Sequence, residues 1–157
     1  TSWGVSTRLI GGLVMTHSDD DGLIIPPKLA PQHAVIVPFY RKKEDENNMV
    51  KEACIKLEKE LNEAGVITKF DGRDGRPGAK FYENERKGVC LRIGVGPRDI
   101  KNNVVEYKRR DQADKQSVSL DGFVEFAQAE LEQMQSSLFE NAKQRRHNHQ
   151  SQTGTGM

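Results

Sequence analysis

The sequence is poor in cysteine and contains no long apolar run, and both shortages limit what the protein can be. Its two cysteines, Cys54 and Cys90, are not accompanied by paired histidines, which argues against a zinc site. Both fall at core positions of predicted elements, so we interpret them as small buried hydrophobes that suit a reducing compartment. A disulfide between the two is possible but not required. No run approaches the roughly 18–20 apolar residues of a membrane-spanning helix. No signal peptide is evident either, so we expect a cytoplasmic protein.

An initiator methionine is also missing, since the sequence begins Thr1-Ser2-Trp3. These residues already belong to an organised segment, and we therefore expect the chain to be a fragment of a longer protein. Its 157 residues leave room for one ordinary domain with appendages at either end.

Net charge is nearly absent as well, but the total of +1 conceals an uneven distribution. Residues 1–65 carry 8 basic and 10 acidic side chains, residues 66–118 carry 13 and 8, and residues 119–157 carry 3 and 5. A basic middle between mildly acidic ends indicates one surface that faces a polyanion. The alternative is an ordinary solvated loop surface.

The apolar pattern predicts an α/β domain. A continuous apolar run over residues 33–39 is typical of a strand buried on both faces. Residues 44–64 repeat apolar positions at helical spacing, with acidic residues at the start and Gly65 after the end. Residues 66–70 form the next predicted strand. A strand, a helix and a strand in this order predict two parallel strands joined by a right-handed crossover.

The rest of the chain is predicted from similar signals. They indicate a polar loop over residues 71–78, a short helix over 79–87, a strand over 89–95, a turn at Gly96-Pro97, a strand over 103–109 and a helix over 120–142 capped by Ser119. Prolines at 26, 27 and 31 mark the first boundary. The predicted organisation is an N-terminal segment with its linker (1–31), a folded body (32–116), a C-terminal helix (117–143) and a disordered tail (144–157).

Three short segments contain residue types that often bind ligands. Arg8, beside small hydroxyl residues at the start of a glycine-containing helix, could pair with a phosphate or stack on a base, or could form a surface salt bridge. The acidic turn at residues 17–21 could hold a metal ion or could simply be solvated. Residues 94–99 are not a dinucleotide fingerprint, because no helix is predicted after their strand. No catalytic triad is evident, and the body is therefore interpreted as a binding domain.

The order of these segments resembles one enzyme family. Residues 2–8 (SWGVSTR) and 15–27 (MTHSDDDGLIIPP) resemble the third signature motif of prolyl-tRNA synthetases, a class II family, in its eukaryotic and archaeal type. The segments that resemble the anticodon-binding domain of this family are residues 33–38, 80–81, 85, 87–89 and 95–99, continuing through 109–111. The similarity runs from residue 1 to about residue 143. It implies a mixed sheet flanked by helices, with a remnant of the catalytic domain at the N-terminus.

The resemblance also implies roles in the catalytic segment. Arg8 would be the catalytic arginine that binds ATP, and Ser6 would contact ATP beside it. Trp3 and Gly4 would line the prolyl-adenylate pocket. A planar guanidinium suits this position because it can stack on adenine or pair with phosphate oxygens. ATP would come with Mg²⁺, whose ligands should lie mostly outside this chain, and no bound metal is predicted here.

In the anticodon-binding domain, the resemblance implies contacts from Glu85, Lys87 and Arg98. A carboxylate can accept from base amino groups, while arginine and lysine reach guanine O6 and N7 or a phosphate. The proline anticodon contains two guanines, so basic readers are chemically sensible. Alternatively, Arg98 and Asp99 form a structural pair.

The implied parent activates proline with ATP and transfers it to tRNA(Pro), as a homodimer. This chain lacks the first two signature motifs, so we expect it to bind tRNA weakly and to be inactive alone. It departs from the family at Ala79 and Asn84, where tryptophans are frequent, and at Ser18, where glycine is usual. Two alternatives stay open: a non-catalytic RNA-binding paralogue, and the corresponding part of a threonyl-, histidyl- or glycyl-tRNA synthetase.

Overall fold

The computed structural model describes residues 4–41 and 44–153. The helices are α1 (Arg8–His17), α2 (Glu44–Glu63), α3 (Pro77–Arg86), α4 (Pro97–Lys101) and α5 (Phe123–Thr153), with a short 3-10 turn at Pro27–Leu29. The strands are β1 (Ala34–Pro38), β2 (Thr68–Phe70), β3 (Leu91–Val95), β4 (Val104–Arg109) and β5 (Gln116–Ser119). These elements confirm the predicted α/β class.

The strands form one mixed sheet in the order β2-β1-β3-β4-β5. Strand β1 pairs in parallel with β2 and with β3, while β3–β4 and β4–β5 are antiparallel. The β1–α2–β2 segment is therefore the predicted parallel unit. Strand β1 is buried along its whole length, as its continuous apolar run predicts.

Helix α2 forms where the sequence favours it at both ends and along one face. Three acidic residues occupy its first turn, where the helix dipole favours negative charge. Its buried residues are Val50, Cys54, Leu57 and Leu61. Gly65 follows the helix with φ of 83°, a left-handed conformation that glycine adopts without steric cost.

The two faces of the sheet are covered unequally. On one face, α2 and α5 pack on alternate residues of β1, β3 and β4, including Ile36, Ile93 and Val105, to form the main core. On the other face, a smaller cluster joins Val35 and Val37 of β1 to residues of the α3 region. Helix α3 covers β1 and the adjoining part of β3 on this face, and the partly exposed and exposed residues of the face lie toward β4 and β5.

Both cysteines are buried, as predicted, and they do not form the disulfide that the sequence leaves possible. Burial raises the pKa of the Cys54 thiol and of the Cys90 thiol to about 12. At neutral pH both are therefore unreactive, apolar side chains. None of the described helices is long and apolar enough to cross a membrane.

The structure differs from the sequence predictions at three places after β3. Helix α4 begins at Pro97, where a turn without a following helix is predicted, because Pro97 suits a first helical position and Asp99 Oδ2 accepts a hydrogen bond from Gly96 N at 2.8 Å. Strand β5 joins the sheet although residues 116–119 carry no predicted strand. Ser119 does not cap α5; its hydroxyl instead accepts a hydrogen bond from Asp121 N in the preceding turn.

Helix α5 is also longer than the apolar pattern indicates. It continues past Ala142 to Thr153, into the tail for which disorder is predicted. Residues 144–153 contain neither glycine nor proline, so nothing in their backbone interrupts the helical hydrogen bonds before Gly154. The last residues, 154–157, lie outside the described part of the chain.

Candidate nucleic-acid interface

This second face of the sheet carries a cleft of about 280 Å³ between α3, β3 and β4. Its lining includes Phe39, Phe81, Arg92, Gly94, Glu106, Lys108 and Lys115. Antiparallel pairing places Arg92 opposite Lys108 and Gly94 opposite Glu106, so these four residues share one face of the sheet. The cleft thus combines aromatic rings, cations and a carboxylate.

Two phenylalanines form the apolar part of the cleft. The ring centroids of Phe39 and Phe81 lie 5.8 Å apart in a tilted arrangement. Gly94 makes room for them, since a Cβ at this position would lie 2.5 Å from Cε2 of Phe39. The guanidinium of Arg92 lies 5.1 Å from the Phe81 ring centroid, within cation–π distance. A flat group that enters the cleft would meet a ring and a cation together.

Charges around the cleft are held in fixed positions. Glu85 on α3 accepts hydrogen bonds from Arg92 Nη1 at 2.7 Å and from Lys108 Nζ at 3.2 Å. All three side chains are mostly buried. On the more exposed side of the cleft, Glu106 Oε2 accepts a hydrogen bond from Lys115 Nζ at 3.0 Å. These pairs fix the positions of Arg92, Lys108, Glu106 and Lys115 in the wall of the cleft.

A second basic region lies at the edge where the parallel strands end. Because β2, β1 and β3 are parallel, the residues after each strand meet at this edge, where open α/β sheets commonly bind ligands. Arg41 follows β1, Arg76 follows β2 and Arg98 follows β3, and all three side chains are exposed. We call Arg41, Arg76 and Arg98 the basic edge.

The loop that carries Arg76 is organised by charge. Asp71 forms a fork with Arg73, with Nε to Oδ1 at 2.8 Å and Nη2 to Oδ2 at 2.6 Å. This hydrogen bonding lowers the pKa of Asp71 below its usual range. The ammonium group of Lys80, which is buried, donates to the carbonyls of Asp71 and Arg73. The basic edge is therefore built on an ordered loop.

The structure separates the three predicted anticodon residues. Glu85 is connected to the cleft through Arg92 and Lys108, whereas Lys87 is exposed at the end of α3 and pairs with Glu83 at 2.5 Å. Arg98 belongs to the basic edge at the other end of β3. The alternative Arg98–Asp99 pair does not occur within the described ranges, because the Asp99 carboxylate is bonded to Gly96 N.

The predicted ATP residues lie far along the chain from this face. Gly4, Ser6 and Arg8 are exposed at the start of α1, and α1 buries none of its residues within the part of the chain that the structure describes. Trp3 lies outside the described residues. The structure therefore brings the predicted anticodon and ATP residues into no common site.

The acidic turn after α1 forms no metal cluster among the described residues. Asp19 instead pairs with Arg110, and hydrogen bonding from this arginine lowers the pKa of Asp19. The departures at Ala79 and Asn84 also have a simple account, since Ala79 is exposed and Asn84 is buried with its amide bonded to Lys80 O at 2.8 Å. Neither position offers an aromatic surface to a base.

The sequence interpretation missed the cleft and most of the basic edge. Arg92, Gly94, Glu106 and Lys108 alternate with core residues along two strands, and this period of two is the signal that could have placed them on one face of the sheet. Phe39 carries no such signal, because the sequence shows it only as the last residue of a continuous apolar run.

Comparisons with known proteins agree with this architecture. The sequence model of a family described as "Anticodon binding domain" matches residues 33–130. This chain belongs to that family. The match includes all five strands, α2, α3, α4 and the start of α5, and therefore both the cleft and the basic edge.

Three bacterial relatives, each called proline–tRNA ligase, are similar over nearly the whole chain. Identity is 49% over 150 residues for the protein of Christiangramia forsetii, 48% over 146 residues for that of Salinibacter ruber and 45% over 150 residues for that of Porphyromonas gingivalis strain ATCC 33277. These alignments cover 95%, 92% and 95% of this chain but only 30% of each relative. They confirm the resemblance to prolyl-tRNA synthetases, while the eukaryotic and archaeal type stays a prediction.

Proposed function

We propose that this chain is part of a proline–tRNA ligase and that its folded body binds the anticodon of tRNA(Pro). One observation carries the proposal: a sheet of the anticodon-binding family presents an aromatic and charged cleft on one face, in a chain nearly half identical to proline–tRNA ligases. The parent enzyme would activate proline with ATP and transfer it to tRNA(Pro), as a cytoplasmic homodimer.

The cleft has the chemistry that an unpaired guanine requires. Guanine presents acceptors at O6 and N7 to arginine or lysine, and donors at N1 and N2 to a carboxylate. Arg92 and Lys108 supply such donors, and Glu106 or Glu85 supplies an acceptor. Stacking of one base on an aromatic side chain contributes about 1–3 kcal/mol, and Phe39 and Phe81 offer such a surface.

Phosphates would lie along the basic edge. Arg41, Arg76 and Arg98 are exposed cations at one edge of the sheet, and Lys87 adds a further cation at the end of α3. Contacts of this kind orient RNA without reading its sequence. We assign Glu85 to the base-reading group, and Lys87 and Arg98 to the phosphate-binding group.

In the parent, Arg8 would bind ATP and stabilise the charge that grows on the α-phosphate, with Ser6 beside it. Gly4 and Trp3 would line the pocket for the adenylate. Mg²⁺ would accompany ATP and neutralise its phosphates. The described residues contain no group of three His, Cys, Asp or Glu side chains that could hold a metal ion, so its ligands would come from other parts of the parent.

A binding experiment tests the anticodon proposal. The chain is titrated with anticodon stem-loops of proline and threonine tRNA, at several salt concentrations, by fluorescence anisotropy. We expect the chain to prefer the proline loop. Its affinity should fall as salt is added, and the slope of log affinity against log salt concentration should become shallower by about 0.7 for each phosphate contact that is removed. Arg76→Gln and Arg98→Gln should each show this smaller slope, while Lys51→Gln, on the exposed side of α2, should not.

Preference for the threonine loop would contradict the assignment to proline. Equal slopes for all three variants would contradict the basic edge. A separate assay addresses the ATP segment: the chain alone should catalyse no proline-dependent exchange of pyrophosphate into ATP, and measurable exchange would show that the other signature motifs are not needed.

A further inference from the structure

Two adjacent arginines at the end of β4 hold opposite ends of the chain. Their guanidinium groups point to opposite faces of the sheet, as neighbouring side chains of a strand do, and each side chain is only 2% exposed. Arg109 forms a fork with Asp111 at 2.9 and 2.7 Å and donates to Glu130 at 3.2 Å and Gln133 at 2.8 Å. Through the last two contacts, Arg109 holds α5.

Arg110 holds the turn that follows α1. Its Nη1 donates to Asp19 Oδ2 at 2.9 Å, its Nη2 donates to Asp19 Oδ1, and its Nε donates to the Glu85 carbonyl at 3.1 Å. Asp19 also accepts hydrogen bonds from the backbone of Asp21 and Gly22, at 3.0 and 3.1 Å. One guanidinium thus joins β4, the end of α3 and the acidic turn, across 91 residues of sequence.

Backbone packing around this contact is close. Leu23 N donates to Arg86 O at 3.3 Å, and a Cβ on Gly22 would lie 2.8 Å from the Cα of Arg86. A Cβ on Gly88 would lie 2.8 Å from Leu23 O, and both glycines have positive φ. The segment before the linker therefore lies directly against the end of α3, with glycine where the two backbones meet.

We propose that Arg110 is a positioning residue that fixes residues 4–22 relative to the anticodon-binding body. This inference rests on the proposed function, because residues 4–22 contain Ser6 and Arg8, the proposed ATP ligands. Glu85 connects Arg110 to the cleft. Its backbone carbonyl accepts a hydrogen bond from Arg110, and its carboxylate pairs with Arg92 and Lys108 of the cleft. Arg110 thereby sets the angle at which the catalytic segment leaves the RNA-binding face.

The experiment measures the orientation of α1 by electron paramagnetic resonance. Nitroxide labels are placed at Met15→Cys on α1 and Glu52→Cys on α2, both exposed. The native thiols are buried with pKa values of about 12 and should not react, so they need no replacement. Arg110→Gln, Arg110→Lys and Asp19→Asn are compared with Asp20→Asn, a matched loss of one charge at the next, exposed position.

We expect a narrow distance distribution in the parent chain and in Asp20→Asn, and at least a twofold broader one in Arg110→Gln and Asp19→Asn. Arg110→Lys should also broaden it, because an ammonium group keeps the charge but cannot form the fork. In the double variant of Arg110→Gln with Asp19→Asn, the broadening should not exceed that of either single change. Amide exchange at Leu23 should rise at least tenfold in the same variants.

Widths equal to that of Asp20→Asn would overturn the proposal. Should Arg110→Gln fail to fold, Asp19→Asn decides the question, because the Asp19 side chain is 44% exposed and its loss leaves the core intact. Affinity for the proline stem-loop is measured on the same samples. If neither the parent chain nor any variant binds RNA, the proposed function fails while the positioning result stands. If RNA binds but the distance distributions keep the same width in every variant, only the positioning role fails.

Discussion

Replacing Glu85 by glutamine tests the charged group beside the cleft. The glutamine keeps the shape of the side chain and one acceptor, but its amide turns a donor toward one of two cations, Arg92 or Lys108. A hydrogen bond between charged groups contributes about 1.5–3 kcal/mol. The three side chains are 16–19% exposed, so water compensates for part of the loss. We expect the free energy of unfolding to fall by about 1–2 kcal/mol.

The effect of Glu85→Gln on RNA binding should have two components. The charge of the three-residue group rises from +1 to +2, which should strengthen binding to any single-stranded RNA at low salt. If the carboxylate accepts from a guanine, its loss should also reduce the preference for the proline anticodon. A good contact to a base edge is worth about 1–3 kcal/mol, or roughly 5- to 150-fold in relative affinity.

The assay compares a proline stem-loop with one whose two anticodon guanines are replaced by adenines. Glu83→Gln is the matched control, since Glu83 lies on the same helix, carries the same charge and is 41% exposed beside Arg73 and Lys87. Both variants should bind RNA more tightly at low salt. Only Glu85→Gln should lose the preference for guanine; an unchanged preference would show that Glu85 reads no base and serves only as a counter-ion.

Three further predictions concern stability. Arg109→Met should lower the free energy of unfolding by about 3–5 kcal/mol in a urea titration, because it leaves two mostly buried carboxylates without their cation, whereas Lys143→Met on the exposed side of α5 should change it little. Ser18→Ala should raise it by about 1 kcal/mol, since the buried Ser18 hydroxyl finds no partner within the described ranges, and a lower melting temperature would contradict this. The pKa of Asp19 is lowered from 3.8, so its stabilising contribution is complete above that pH and is lost as the pH falls through the lowered value; Asp19→Asn should lack this acid-dependent loss in an acid titration.

The elements that could be predicted from sequence are those whose own residues determine them. Strand β1 and helix α2 each carry a clear apolar pattern, and the prediction was confirmed for both. Helix α4 is not predicted although Pro97 and Asp99 form a helix-start signal, because Gly96-Pro97 is equally typical of a turn. Strand β5 has one partly buried residue, Val118, and exists because β4 offers it a partner.

The site was less predictable because it depends on contacts between distant residues. The pairing of Arg110 with Asp19 spans 91 residues, and that of Lys108 with Glu85 spans 23. Nothing in the local pattern around Asp19 distinguishes a solvated turn from an ion-pair partner. The aromatic part of the cleft likewise depends on Gly94, whose missing side chain matters only once Phe39 lies above it.

Charge counting points to residues 66–118 as the part of the chain that would face RNA, but it overstates the charge that is free to bind a phosphate. Eight of the 13 basic side chains in residues 66–118 form ion pairs within the folded chain, at positions 73, 87, 92, 101, 108, 109, 110 and 115. Lys80 is buried on carbonyl groups as well. The excess that a phosphate would meet is therefore limited to four exposed side chains that form no ion pair within the described ranges, Lys69, Arg76, Arg86 and Arg98, and two of them belong to the basic edge. A protein with this arrangement should show a modest salt dependence, set by a few phosphates, and should derive most of its selectivity from the cleft.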